Sequence, residues 1–261
     1  MTGQTSIAVK NIYYMLSYAF QTLETSKYQD LNAEEFDNIH NLFAAILAKG
    51  MGRQLKQGLY REYVGHHESL TALRGKIDFD GSVRAKMARR HELVCEYDEL
   101  SVNNLHNRIL KTTALLLMRH GRVDAKHRDD LKRALLYFSE VDVVDPKSIG
   151  WSGLRYTRNS QSYRMLLGIC QLVVQGMLLT TDRGEQRLMT FLDEQAMSRL
   201  YEKFIFEYYS KECLVARTSA PFIKWALDDD MNTMLPTMQS DVVLSNGKRM
   251  LIIDAKYYSS S

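Results

Sequence analysis

Asp241-Val-Val-Leu-Ser-Asn-Gly-Lys-Arg-Met-Leu-Ile-Ile-Asp-Ala-Lys256 sets two apolar runs on either side of Asn246-Gly247. Asn and Gly both tolerate positive φ, which a tight two-residue hairpin turn requires. With that turn Ser245 faces Lys248, and Asp241 faces Ile252. Side chains alternate along a strand, so Asp241, Ile252, Asp254 and Lys256 share one face, while Val242, Leu244, Leu251, Ile253 and Ala255 share the other. Asp241 and Asp254 become diagonal neighbours, with Cβ atoms roughly 7 Å apart or less. An odd-length turn would reverse the parity.

Two carboxylates this close repel each other, and a hard divalent cation relieves the repulsion while both stay ionised. Mg²⁺ takes one or two carboxylates and fills its remaining positions with water and phosphate oxygens. A nearby ammonium such as Lys256 can position the attacking water, help deprotonate it, or stabilise phosphoryl charge. Asp254 follows Met-Leu-Ile-Ile, which reads as a buried strand, so a charge at its end needs a reason. Asp241 interrupts an apolar strand on the same face.

Outward from the hairpin, Met197, Leu200, Tyr201, Phe204, Ile205 and Tyr208 mark an amphipathic helix from about Asp193 to Lys211. Strand-like runs follow around 222–227, 238–244 and 249–257. A helix leading into strands departs from the helical region before it and reads as the start of an α/β unit. The polar stretch Thr180-Thr-Asp-Arg-Gly-Glu-Gln186 is the preferred boundary, which divides the chain into 1–185 and 186–261.

The first part is read as mostly helical. Ile12, Met15, Leu16, Ala19, Phe20 and Leu23 trace one buried helix face. A second helix is expected to start at Asn32, with Glu35 completing a capping box, to bury Phe36, Ile39, Phe43, Ile46 and Leu47, and to end at Gly50 and Gly52. Short strands are expected near 58–81. Arg84-Ala-Lys-Met-Ala-Arg-Arg-His91 is foremost a solvated helix face; the sharper alternative is contact with phosphates or an acidic partner. Asn103 or Asn104 caps the next helix, and further helices cover 128–138 and 162–179.

Composition excludes several classes. The 261 residues are 45% hydrophobic and 25% charged, as in an ordinary globular protein. Cys95, Cys170 and Cys213 lie too far apart for a metal-ligand pattern and suit a reducing cytosol rather than a disulfide scaffold. The longest apolar stretch, 166–179, is interrupted by Gln171 and Gln175 and falls short of the ~20 residues of a membrane span. No secretory signal opens the sequence, so a cytoplasmic location is expected. The net charge of +3 is unevenly spread, with an acidic excess after residue 180. The histidines all precede residue 128; His66, His67 and His91 read as surface residues, and Asp228-Asp-Asp230 as a solvated turn. Most tyrosines sit at core or boundary spacing.

Pro236, Asp241 and Asp254-Ala255-Lys256 together resemble the PD-(D/E)XK nuclease motif. Over the whole chain the sequence is similar to the McrC family, the nuclease subunit of the McrBC 5-methylcytosine restriction system. The resemblance rests on Lys10-Asn-Ile-Tyr-Tyr-Met-Leu-Ser-Tyr-Ala19, Gly75-Lys-Ile-Asp-Phe79, Asn103-Asn-Leu-His-Asn-Arg-Ile-Leu-Lys111 and Leu235-Pro236.

It implies an α+β protein: a mainly helical N-terminal domain with a small β insertion, then a restriction-endonuclease-like α/β domain. Asp241, Asp254 and the carbonyl of Ala255 would bind Mg²⁺, and Lys256 would serve the nucleophilic water. Glu202, on the helix before the strands, is the auxiliary glutamate, with Glu207 a weaker alternative. The partners implied are double-stranded DNA and a McrB-like AAA+ GTPase ring, which the N-terminal part engages and stimulates. GTP belongs to that ring, since this chain has no Gly-x-x-x-x-Gly-Lys-Ser/Thr loop. Family members continue past the motif lysine with a helix and a further strand. A nuclease domain lacking its C-terminal part is therefore expected here, with a non-catalytic GTPase-activating subunit as the alternative function.

Overall fold

The computed structural model describes residues 2–20, 31, 34, 36–157, 160, 162–180, 186–188, 192–223 and 236–258. Helix and antiparallel sheet are mixed. Helices α1 (Thr2–Ala19), α2 (Ile39–Gln57), α4 (Leu105–His120), α5 (Ala125–Leu135) and α6 (Tyr163–Met177) build a body around α2. Ile12, Leu16 and Ala19 of α1 are buried as their spacing predicts, beside Phe43, Ile46 and Leu47 of α2 and Leu166 and Val173 of α6. Helix α7 (Glu194–Glu212) packs on α1 and α6, and its Ala196, Met197 and Leu200 join the same core. The Asp193 side chain caps α7 by accepting from the Ala196 N–H at 2.7 Å.

Several expectations shift. The N-cap of α2 is Asn38, whose side chain accepts from the Asn41 N–H at 3.0 Å; Asn32 and Glu35 lie outside the described residues. Gly50 and Gly52 do not end α2, which runs on to Gln57. Gly50 instead lets Leu166 of α6 close in, since a Cβ there would sit 2.2 Å from a Leu166 methyl. The proposed boundary at 181–185, Leu23 and Asp228–Asp230 also lie outside the described residues.

Residues 62–101 form a separate ribbon. β1 (Glu62–Leu70) pairs antiparallel with β3 (Leu93–Ser101) from Glu62↔Ser101 to Leu70↔Leu93, and β2 (Lys76–Ile77) pairs with the other edge of β3. Between them, Phe79–Met87 is a helix, α3, which takes over the last residues, 79–81, of the stretch expected as short strands and carries Arg84 and Lys86 of the expected solvated helix face. Asp78 caps it through the Gly81 N–H at 3.1 Å, which turns the chain out of the strand. Helix α3 buries none of its residues, and Tyr63, Leu73, Phe79, Val83 and Met87 are exposed. Arg84, Lys86, Arg89 and Arg90 stand in solvent at this tip.

A buried polar cluster at the start of α4 anchors both ends of the ribbon. The Asn107 side-chain amide donates to the carbonyls of Tyr60, just before β1, and Val102, just after β3, at 2.9 and 2.8 Å. Asn104 caps α4 through the Asn107 N–H and donates to the same Tyr60 carbonyl at 2.8 Å. The Tyr163 hydroxyl completes the cluster, donating to Asn107 Oδ1 at 2.8 Å and accepting from the Tyr60 N–H at 2.9 Å. The Asn103–Lys111 motif is thus a clamp as well as a helix start.

A short antiparallel pair, β4 (Leu178–Thr180) and β5 (Gln186–Leu188), precedes α7, and after it come β6 (Arg217–Ser219), β7 (Phe222–Ile223), β8 (Met238–Gln239), β9 (Val242–Ser245) and β10 (Met250–Ile253). The sheet order is β10-β9-β6, antiparallel, with β6 lying against α7; β7 and β8 form a small pair of their own. β6 had no counterpart among the expected strands. β10 ends at Ile253, earlier than expected, and the broad run 238–244 is split in two at Ser240-Asp241.

Candidate active site

The β9–β10 hairpin exists, but its turn is longer than two residues. Ser245 faces Met250 rather than Lys248, and the register continues through Leu251↔Leu244 and Ile252↔Val243 to Ile253↔Val242. The loop Asn246–Arg249 is organised by the Asn246 side chain, which accepts from the N–H groups of Lys248 and Arg249 at 3.1 and 2.9 Å. Gly247 takes a φ of 83°. Competition from this Asx-type turn displaced the tighter one.

The slip is an even number of residues, so the parity survives. One step beyond the ladder, Asp241 and Asp254 now face each other directly instead of diagonally. Asp241 Oδ2 also accepts from the Ala255 N–H at 2.8 Å, which fixes the strand end against the aspartate. Lys256 Nζ lies 2.7 Å from Asp254 Oδ2. The three motif residues therefore converge.

Burial differs from the expectation. Val242, Val243 and Leu244 are buried on both faces of β9, the central strand. β10 is the sheet edge, and Met250, Leu251 and Ile252 are 67%, 58% and 62% exposed. The apolar run before Asp254 reads as interior, yet no described element lies outside it. Ala255 alone in this segment is buried.

The electrostatics match the crowding. The Lys256 ammonium holds the Asp254 carboxyl below the usual carboxylate range, and Asp254 in turn raises the Lys256 ammonium above its ordinary value. Lys256 is thus held protonated, suited to positioning a water or neutralising phosphoryl charge and unsuited to accepting a proton. Glu202, exposed on α7, is raised by partial burial and then by the charges of Asp241 and Asp254, against the lowering effect of Arg199. Arg199 sits one helical turn before Glu202, a spacing legible in the sequence but not singled out there. The Tyr201 and Tyr257 rings, 6.2 Å apart, tie α7 to the segment after β10.

These groups suit a divalent cation. Asp241, Asp254 and the Ala255 carbonyl are oxygen donors at one strand end, and the mutual repulsion felt at Glu202 is what a cation would relieve. Among the described residues no group of three His, Cys, Asp or Glu is close enough to hold a metal by side chains alone. The site would therefore rely on two carboxylates, a carbonyl and water. His66 stacks on Tyr97 and His67 contacts Asp78, both far along the chain from this site.

Residues 2–261 match the family model described as a McrBC 5-methylcytosine restriction system component. The chain belongs to this family. It is 29% identical to the type IV methyl-directed restriction enzyme EcoKMcrBC of Escherichia coli K12 over 261 aligned positions, covering 98% of this chain and 75% of that protein. Two solved structures from Thermococcus gammatolerans share the fold. One is a refined half-complex from the tetradecameric assembly of McrB AAA+ hexamers with bound McrC, with TM-score 0.60, 20% identity, and 96% of this chain matched to 56% of that one. The other is the cryo-EM structure of the McrBC complex, with TM-score 0.56, 20% identity, and 81% of this chain matched to 60% of that one. The chain thus spans little more than half the length of the archaeal chains it resembles. Among the described residues no helix is long and apolar enough to cross a membrane.

Proposed function

We propose that this McrBC-family chain is the nuclease subunit of a GTP-dependent, modification-dependent restriction complex that hydrolyses phosphodiester bonds of double-stranded DNA. The observation that supports the reading is the juxtaposition of Asp241, Asp254 and Lys256 at the end of the β9–β10 hairpin, as a PD-(D/E)XK site would need. Asp241, Asp254 and the Ala255 carbonyl would hold Mg²⁺. When bound, the ion supplies Lewis-acid polarisation of the phosphate and acidifies water.

The remaining work falls to the chain's own side chains. Asp241 holds the Ala255 N–H through its 2.8 Å bond, which ties the end of β10 to the aspartate and keeps Ala255 beside it. Lys256, held protonated by Asp254, orients the attacking water by hydrogen bonding and offsets charge that develops on the phosphoryl oxygens. Glu202, raised by partial burial and then by its acidic neighbours, would hold its proton less tightly once a cation screens them.

The partner is an AAA+ GTPase ring, and the helical part of residues 1–185 with its ribbon is the region that engages it. Exposed apolar side chains on the self-contained 62–101 unit, with the basic residues at its tip, support that assignment. The second reading is a ring-binding GTPase activator without cleavage. GTPase stimulation and DNA cleavage measured on one sample, with ring, GTP and Mg²⁺, separate the two. Cleavage abolished by Asp254→Ala and Lys256→Ala with stimulation retained is expected. Cleavage that survives both substitutions removes the proposed site.

A further inference from the structure

Between α6 and α7 lies a cavity of about 220 Å³ whose lining residues include Arg164, Arg199 and Lys203. The other polar side chains in its wall are Tyr156, Gln171 and Gln175, and no lining residue is acidic. The two glutamines bond to each other, Gln171 Nε2 to Gln175 Oε1 at 2.9 Å, which leaves amide N–H groups for a guest. Burial raises the Tyr156 hydroxyl, so it stays a donor at neutral pH. The wall therefore offers positive charge and hydrogen-bond donors.

Of the three cations, Arg164 and Arg199 are exposed and Lys203 is half-buried. Lys203 is pushed down to about 8 by burial and by the Arg164 charge, with only partial relief from Glu207. Its ammonium rests 3.7 Å from the centre of the Phe20 ring, which attracts it weakly. Arg199 acts on Glu202, but neither Glu202 nor Glu207 lines the cavity. The volume exceeds a water's share of roughly 30 Å³ and falls below the roughly 300 Å³ of sites for drug-sized ligands. One phosphate group suits it better than a whole nucleotide. Arg199 and Lys203 are spaced i, i+4 on α7, and Glu202 lies on the adjacent strip of the same helix.

We propose that the Arg164–Arg199–Lys203 pocket binds a phosphate-type oxyanion, supplied either by the DNA backbone beside the cleavage site or by a free anion. The DNA source rests on the nuclease reading above; binding of a free anion does not. Sulfate is the probe for the pocket itself, since it does not titrate near neutrality, and an unmodified DNA duplex is the probe for the source. Calorimetric or NMR titration of the full chain should show saturable sulfate binding that weakens at least tenfold in Lys203→Met and Arg164→Gln and recovers in Lys203→Arg. Circular dichroism confirms that each variant is folded. If the source is DNA, duplex affinity also falls in these variants, and its dependence on log salt flattens by about 0.9 for one lost phosphate contact. Sulfate binding lost with duplex affinity and salt slope unchanged assigns the pocket to a free anion. Absent sulfate binding, or binding equal in wild type and both variants, overturns the proposal, whereas a failed nuclease assay leaves the sulfate result standing.

Discussion

Tyr163→Phe removes one oxygen from the centre of the ribbon clamp and changes little else. The Tyr163 side chain is 1% exposed, and burial raises its hydroxyl to about 12, so at neutral pH it is an uncharged donor and acceptor. It donates to Asn107 Oδ1 at 2.8 Å and accepts from the Tyr60 N–H at 2.9 Å. In the variant the Asn107 oxygen, fully buried, loses its bonded partner and cannot reach water. The Tyr60 backbone lies in a half-buried residue and recovers part of its loss. An unsatisfied buried group costs about 1–3 kcal/mol, so a loss of about 2 kcal/mol is expected. For a protein of this length that is a fall in Tm of roughly 4–8 °C. The damage should also be local. Amide exchange should quicken at the Glu62↔Ser101 end of the ribbon, while its distal Leu70↔Leu93 end and the core of α2 stay protected. Tyr97→Phe, whose hydroxyl makes an exposed 3.2 Å bond to Glu68, is the control and should move Tm by no more than about 1 °C. Equal shifts in the two variants, or unchanged exchange at Glu62 and Ser101, would refute the clamp.

Asp241→Asn keeps an acceptor for the Ala255 N–H but removes a charge, so cleavage should fall by roughly 10²–10³-fold with the melting temperature nearly unchanged; a variant that cuts normally excludes Asp241 from catalysis. Glu202 holds its proton to higher pH than an ordinary glutamate, so the native state loses stability as pH rises through that interval. Glu202→Gln should therefore flatten this decline in denaturant titrations, and added Mg²⁺ should lower the Glu202 midpoint seen by carbon-detected NMR. Lys203 shows the opposite sign: stability should climb as pH rises from about 8 towards the ordinary 10.5, where the unfolded chain still binds the proton. At pH 7 Lys203→Met should stabilise the anion-free protein by about 2 kcal/mol, the burial cost less the contact with Phe20, as read by urea unfolding.

Much of the site was legible because it depended on parity rather than on register. The two-residue turn predicted from Asn246-Gly247 was wrong, yet Asp241, Asp254 and Lys256 still meet. An even slip moves partners along the strand without exchanging its faces. Helix periods were equally robust: Ile12, Leu16 and Ala19 in α1 and Met197 and Leu200 in α7 are buried where the spacing placed them. Reading failed where local propensity was overruled by a distant contact. Gly50 looked like a helix stop and is a seat for Leu166. Leu93–Ser101 carries Glu96, Asp98 and Glu99 among its apolar residues, so it gave no clean strand pattern, yet it is the centre of the ribbon.

By itself the sequence determined the family, the alternation that brings Asp241, Asp254 and Lys256 to one side of the final hairpin, and the faces on which the helices bury their residues. These follow from covalent order and from the fixed periods of helix and strand, which need no knowledge of what packs nearby. Tertiary structure alone decided that Asp241 faces Asp254 directly, that β10 is an exposed edge, that Asn107 and Tyr163 grip both ends of the ribbon, and that Arg164 on one helix meets Lys203 on another. The clamp joins residues far apart in the chain, and its energy comes from desolvation and hydrogen bonding that arise only once the elements are packed together, while the facing aspartates and the exposed edge depend on which turn closes the hairpin and on what packs beside it.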